Sequence, residues 1–163
     1  MQKSIDVTDS DQLLVFICAA NACRSAIAEV IATDEAQRRG LPVRVASAGT
    51  HALPGYRAAT IAQLTMNEVG LSLHEHRSQP ASADLIGEAA LVVTMTEEQR
   101  DMLRRAFKKD ETKIVSFNDV TQEGDVPDPI GGDPQEVREV RERLQAAMPQ
   151  IFALLERRRT SAS

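Results

Sequence analysis

"LLVFICAANACRSAIAEV", residues 13–30, holds an apolar run, both cysteines of the chain and the start of a helical pattern. Leu13 to Ile17 form a short continuous apolar stretch, which reads as a buried strand. From Ser25 to Gly40 the sequence "SAIAEVIATDEAQRRG" reads as a helix. Gly40 is its expected terminator, and Arg38 and Arg39 sit near its negative end. A turn joins strand to helix: Cys18, Ala19, Ala20, Asn21, Ala22, Cys23, Arg24 and Ser25. The amino end of a helix offers unpaired backbone N–H groups and the positive end of a dipole, which suits an anion. The two cysteines therefore admit three readings. They are buried structural thiols, a redox pair, or a nucleophile beside an anion-binding arginine.

The remaining chain sets the frame around this turn. Its 163 residues fit one domain with a single core. Aromatic residues make up only 3% with no Trp, so the core relies on Leu, Ile, Val and Ala. The net charge of −5 argues against general nucleic-acid binding, which needs a basic face. The polar start "MQKSIDVTDSDQ" has no apolar segment resembling a signal peptide, and no run approaches membrane-spanning length. These features predict a cytoplasmic protein that engages neither nucleic acid nor membrane. In a reducing compartment two cysteines do not make a permanent structural disulfide. Residues 1–12 are expected to form a flexible polar extension, 13–158 the domain, and 159–163 a flexible tail.

Three further apolar runs read as strands: "VRVASA" at 43–48, "LVVTM" at 91–95 and "KIVSF" at 113–117. Helical patterns separate them. One covers 57–70, with Ile61, Leu64 and Val69 as its apolar positions. Another begins after the N-cap candidate Thr96. The last is long, and Val137, Val140, Leu144, Met148, Ile151 and Leu155 share one face, with Pro149 near its middle. Strands alternating with helices predict an α/β fold with a parallel sheet covered on both faces. In such sheets ligands bind outside the carboxyl ends of the strands, which is where the cysteine turn falls.

The turn carries the residues for phosphate chemistry. Successive N–H groups from Ala19 to Arg24 can nest around a phosphate. The Arg24 guanidinium can grip two oxygens in a bidentate fork. A thiolate at Cys18, favoured by that positive field, would attack the phosphorus in line. The Ser25 hydroxyl can stabilise the sulfur as the phosphoryl group departs. Such a reaction needs an acid for the leaving atom. "GDVPDPIGGD", residues 124–133, offers Asp128 between Pro127 and Pro129, which stiffen the backbone on both sides. An ordinary surface turn would look similar.

"CAANACRS" followed far downstream by "DVPDPIGG" resembles the low-molecular-weight protein tyrosine phosphatase family. "SAGT" at 47–50, "GLSLHEHRSQP" at 70–80 and "ADLIGEAALVVTMT" at 83–96 fall in the family's order. The resemblance implies a three-layer αβα domain with a four-stranded parallel sheet, a phosphocysteine intermediate, and neither metal nor cofactor. It implies Cys18 as nucleophile, Arg24 as phosphate clamp and Asp128 as acid, then as activator of water. Asn21, Ser25, Ser47 and His76 would support the loop. Cys23 would guard Cys18 by a reversible disulfide under peroxide. The implied substrate is a phosphorylated protein, and inorganic phosphate is the product.

The chain departs from the family at Ala20, where the loop usually carries Gly. A positive φ there would cost Ala about 1–2 kcal/mol. Phosphotyrosine is the first substrate the resemblance implies, as the family's most widespread activity. Yet aromatic residues common after the Asp-Pro pair are replaced by Ile130 and Gly131, and Ala22 stands where a bulky aliphatic is usual. "DPIGGD" and "HRSQP" look more like the phosphoarginine phosphatase branch, which usually carries Thr at the Ala22 position. Ala22, Leu53, Pro54, Tyr56 and Ile130 are candidates for the substrate wall. An arsenate reductase of this fold would need further cysteines, and none follows Cys23. An inactive phosphate- or phosphopeptide-binding module is the remaining alternative.

Overall fold

The computed structural model describes residues 11–129 and 131–161. Four strands, β1 (Gln12–Cys18), β2 (Val43–Gly49), β3 (Leu91–Thr94) and β4 (Ile114–Ser116), form one parallel sheet in the order β2-β1-β3-β4. The helices are α1 (Arg24–Arg39), α2 (Thr60–Asn67), α3 (Ala83–Glu88), α4 (Glu97–Ala106), α5 (Phe117–Thr121) and α6 (Pro134–Ser161). Alternation along β1 divides the core. Leu14, Phe16 and Cys18 pack with residues of α1, α2 and α6, whereas Leu13, Val15 and Ile17 pack with Ile86 of α3 and Leu103 of α4. The result is the expected three layers, helices–sheet–helices. β1 is an inner strand, and the chain passes from it first to β2 on one side and later to β3 on the other, so the carboxyl end of β1 lies at the switch point of the sheet.

The four strands fall within two residues of the apolar runs that predict them. Gly40 caps α1 in the left-handed conformation, φ 65°. The six apolar positions of the last helix are all buried, and Pro149 lies inside it. Thr96 caps α4 in a full capping box with Gln99.

The 57–70 pattern departs from expectation. Its helix is confined to Thr60–Asn67, and Leu64 and Val69 face solvent, while Ala58, Ala62 and Met66 enter the core. Residues before Thr60 are drawn instead toward the cysteine turn by Ala59 N–H, which donates to Ala22 O at 2.9 Å. Lys108–Lys113 is a 3-10 turn rather than a continuation of α4. A short helix, α5, intervenes between β4 and the Asp128 segment. Residues 1–10 of the expected extension lie outside the described residues. The strand already starts at Gln12, one residue before the expected boundary, and α6 continues through Ser161, past the expected end of the domain at 158. No helix among the described residues is long and apolar enough to cross a membrane.

Candidate active site

The cysteine turn bends tightly because Asn21 adopts φ 58°, the left-handed region. Asn21 and Gln122 are the non-glycine residues with positive φ among the described residues. The penalty expected at Ala20 therefore does not arise, since the left-handed position falls one residue later. Asparagine tolerates that region better than most side chains. Cys18 ends β1 buried, and its Sγ lies 2.9 Å from Ser25 Oγ. Arg24 opens α1, buried at 5% exposure, so its guanidinium is held out of solvent. Both cysteines are free. Burial, reinforced by Cys18 and Asp128 against the pull of Arg24, pushes the Cys23 thiol up to about 12. Cys23 thus stays protonated at neutral pH.

Behind the turn, Asn21 is the centre of a buried network. Its Nδ2 donates to Ser25 Oγ at 2.8 Å and to Ser47 Oγ at 2.9 Å, and its Oδ1 accepts from Gln79 N–H at 3.0 Å. Asn21 O lies 2.7 Å from His76 Nε2; a carbonyl only accepts, so the ring carries its proton there. Ser47 Oγ donates in turn to Glu29 Oε1 at 2.5 Å, and His76 Nδ1 lies 3.9 Å from the same oxygen. Burial raises the Glu29 carboxyl above its ordinary value, offset in part by Ser47 and His76. The structure therefore brings Asn21, Ser25, Ser47 and His76 together behind Cys18.

Glu29, Gln79 and Gly49 are the members of this support that sequence reasoning missed. Glu29 had a signal, since it is the one carboxylate inside the apolar run "AIAEVIA" and lies one turn after Ser25. Gly49 is required by close approach. A Cβ there would stand 2.3 Å from the Ala19 carbonyl oxygen.

Two segments form the rim. Loop 50–59 is tied to the turn at both ends, by His51 N–H on Ala19 O and Ala59 N–H on Ala22 O, each at 2.9 Å. Leu53 and Tyr56 on this loop are exposed at 66% and 62%, and Pro54 is exposed with them. The Asp128 segment approaches from the other side. Val126 N–H donates to Met95 O at 2.9 Å at the end of β3, and Arg24 Nη1 donates to Val126 O at 3.1 Å. Asp128 Oδ2 lies 3.6 Å from Arg24 Nη2. Ile130 lies outside the described residues.

A buried arginine, a cysteine 2.9 Å from a hydroxyl and a helix amino terminus, all at the carboxyl edge of a parallel sheet, define an anion-binding turn with a sulfur at its base. The chain belongs to the low molecular weight phosphotyrosine protein phosphatase family, whose model matches residues 13–161. It is 31% identical to a protein-arginine-phosphatase of Bacillus subtilis, over 90% of this chain and 98% of that protein. It is 30% identical to a probable low molecular weight protein-tyrosine-phosphatase, EpsP, of Ralstonia nicotianae, over 86% and 97%. Among solved structures it resembles the YwlE arginine phosphatase, as a cysteine-to-serine mutant with a phosphorylated active-site serine. The TM-score is 0.82 and the identity 32%, covering 89% of this chain and 96% of that one.

Proposed function

We propose that this chain is a cysteine-dependent protein phosphatase that works through a phosphocysteine. The observation that carries the reading is the convergence of Cys18, Ser25, Arg24 and Asp128 at one mouth, with Cys18 at its base. In the first step the Cys18 thiolate attacks phosphorus. An S–P bond forms while the bond to the leaving group breaks, and the Asp128 carboxyl gives its proton to the departing atom. Arg24 and the N–H groups of the turn hold the three equatorial oxygens. In the second step Asp128, now a carboxylate, takes a proton from water as that water attacks the phosphocysteine. The S–P bond breaks, inorganic phosphate leaves and the thiolate returns, held by the Ser25 hydroxyl. Cys23, near enough to Cys18 for the two thiols to interact and free in the reduced protein, is assigned the role of redox guard. The YwlE mutant with its phosphorylated serine supports the same position as acceptor of the phosphoryl group.

Phosphotyrosine is the first reading of substrate. It is favoured by the exposed Leu53 and Tyr56 on a loop anchored to the turn, which can face an aromatic ring. Phosphoarginine is the second. It is favoured by the likeness to arginine phosphatases and by glycine at 131 and 132, where the Asp-Pro loop offers no ring. Steady-state kinetics on matched phosphotyrosine and phosphoarginine peptides separates the two. Turnover of phosphotyrosine is expected, and turnover of phosphoarginine alone replaces the first reading by the second. Cys18→Ser is expected to abolish turnover of both while phosphate still binds. Unchanged turnover would sink the nucleophile assignment, and phosphate binding with no turnover by the parent protein would favour a binding module.

A further inference from the structure

The Asp128 segment is held from an unexpected side. Arg143, on α6, donates through Nη1 to Asp125 O at 2.9 Å, and through Nη2 to Glu123 O at 3.1 Å and Gly124 O at 3.4 Å. Its guanidinium also lies over the buried Phe117 ring, 5.1 Å from the centroid. Three consecutive carbonyls thus converge on one planar cation, and that cation is seated on the core. The grip ends three residues before Asp128. The intervening backbone has little freedom, because Val126 is bonded at both N–H and C=O and Pro127 fixes its own φ. Beyond the grip Asp128 meets Arg24 at 3.6 Å, and Pro129 O accepts from Gly132 N–H at 2.7 Å. Pro127, Asp128 and Pro129 share with Glu136, Glu139 and Arg143 a cavity of about 370 Å³ between the loop and α6.

We infer that Arg143 is a positioning residue for Asp128, and that it governs how well the acid reaches the leaving group. The inference rests on the reading of Asp128 as the acid. Lysine is a point charge and cannot span three carbonyls or stack in the same way. The cradle has separate support from Asn21, Ser47 and Gly49, and it meets the gripped segment only at Arg24, which donates to Val126 O and pairs with Asp128.

The test measures kcat/KM on aryl phosphates of graded leaving-group quality for the parent, Arg143→Ala, Arg143→Lys, Asp128→Ala and the double variant Arg143→Ala/Asp128→Ala. Vanadate inhibition of each reports the cradle. Asp128→Ala is expected to lose about 10²–10⁴-fold with poor leaving groups and much less with very good ones. Arg143→Ala is expected to show the same slope in weaker form, about tenfold on phenyl phosphate and about twofold or less on the best leaving group. Vanadate inhibition should change by less than turnover of the poor leaving groups, since the segment reaches the cradle only through Arg24, and Arg143→Lys should recover part of the loss. On the Asp128→Ala background the Arg143→Ala change should do little, because the group it positions is gone. A loss that is the same for every leaving group, or that multiplies fully with Asp128→Ala, would overturn the positioning role and leave the acid in place. A flat leaving-group dependence for Asp128→Ala would instead remove Asp128 as the acid, and this inference with it. Should Arg143→Ala fail to fold, Arg143→Lys alone carries the comparison.

Discussion

Replacing Asn21 by alanine should damage this protein more than any other single change behind the cysteine turn. Asn21 is fully buried and combines a left-handed backbone with three side-chain hydrogen bonds. Alanine at φ 58° costs about 1 kcal/mol or more relative to a residue that tolerates that region. The hydroxyls of Ser25 and Ser47 keep other partners, namely Cys18 and Glu29, so each lost bond there costs about 1 kcal/mol. Gln79 N–H loses its acceptor Asn21 Oδ1 in a part-buried site, at about 1–2 kcal/mol. The total is about 4 kcal/mol, a large part of a typical domain's stability. Asn21→Gly removes the same bonds but adopts the backbone angle freely, so it should be about 1 kcal/mol less harmful than alanine. Urea unfolding of the two variants at neutral pH measures both quantities, and vanadate affinity reports the shape of the turn. If Asn21→Ala costs less than about 1 kcal/mol, the network is not what holds the turn. If glycine is worse than alanine, the left-handed angle is not what limits the site.

Arg24→Lys should not restore turnover, because lysine lacks the bidentate fork, and near-parental kcat/KM on an aryl phosphate would contradict the clamp. Gly49→Ala should lower stability by about 1–3 kcal/mol and weaken vanadate binding, since its Cβ would meet the Ala19 carbonyl; an unchanged inhibition constant would show that the turn can shift without loss. Glu29 predicts a pH dependence of stability. Its carboxyl is raised on folding by burial, so its support for the fold is full below the ordinary value of 4.5 and is lost as pH climbs through the folded value. Glu29→Gln keeps an acceptor for Ser47 and removes that loss, so its gain in Tm over the parent should be larger at about pH 7 than at about pH 4. Equal differences at the two pH values would refute the link.

Local patterning alone determined the skeleton of this protein. The inner strands β1 and β3 are nearly unbroken apolar runs because both faces of the sheet are covered there, and a run of that kind needs no partner to be recognised, whereas the edge strand β2 carries the exposed Arg44. The last helix was legible because its six apolar positions repeat at helical spacing along one face. Cys18, Arg24 and Ser25 were legible because they sit within one turn of chain between a strand and a helix. Asp128 is 104 residues from Arg24 by number, and its pairing with the turn was an inference from strand order that the 3.6 Å approach makes concrete. Tertiary structure alone decided the rest. Leu64 and Val69 look like core in a helical pattern, yet the pull of Ala22 O on Ala59 N–H accompanies a helix whose buried face is Ala62 and Met66. Glu29, Gln79, Gly49 and Arg143 acquire their roles only from partners 18 to 58 residues away, or from a carbonyl that a Cβ would strike. Hydrophobic periodicity is written along the chain, whereas a hydrogen bond between distant segments exists only once the sheet has set their positions.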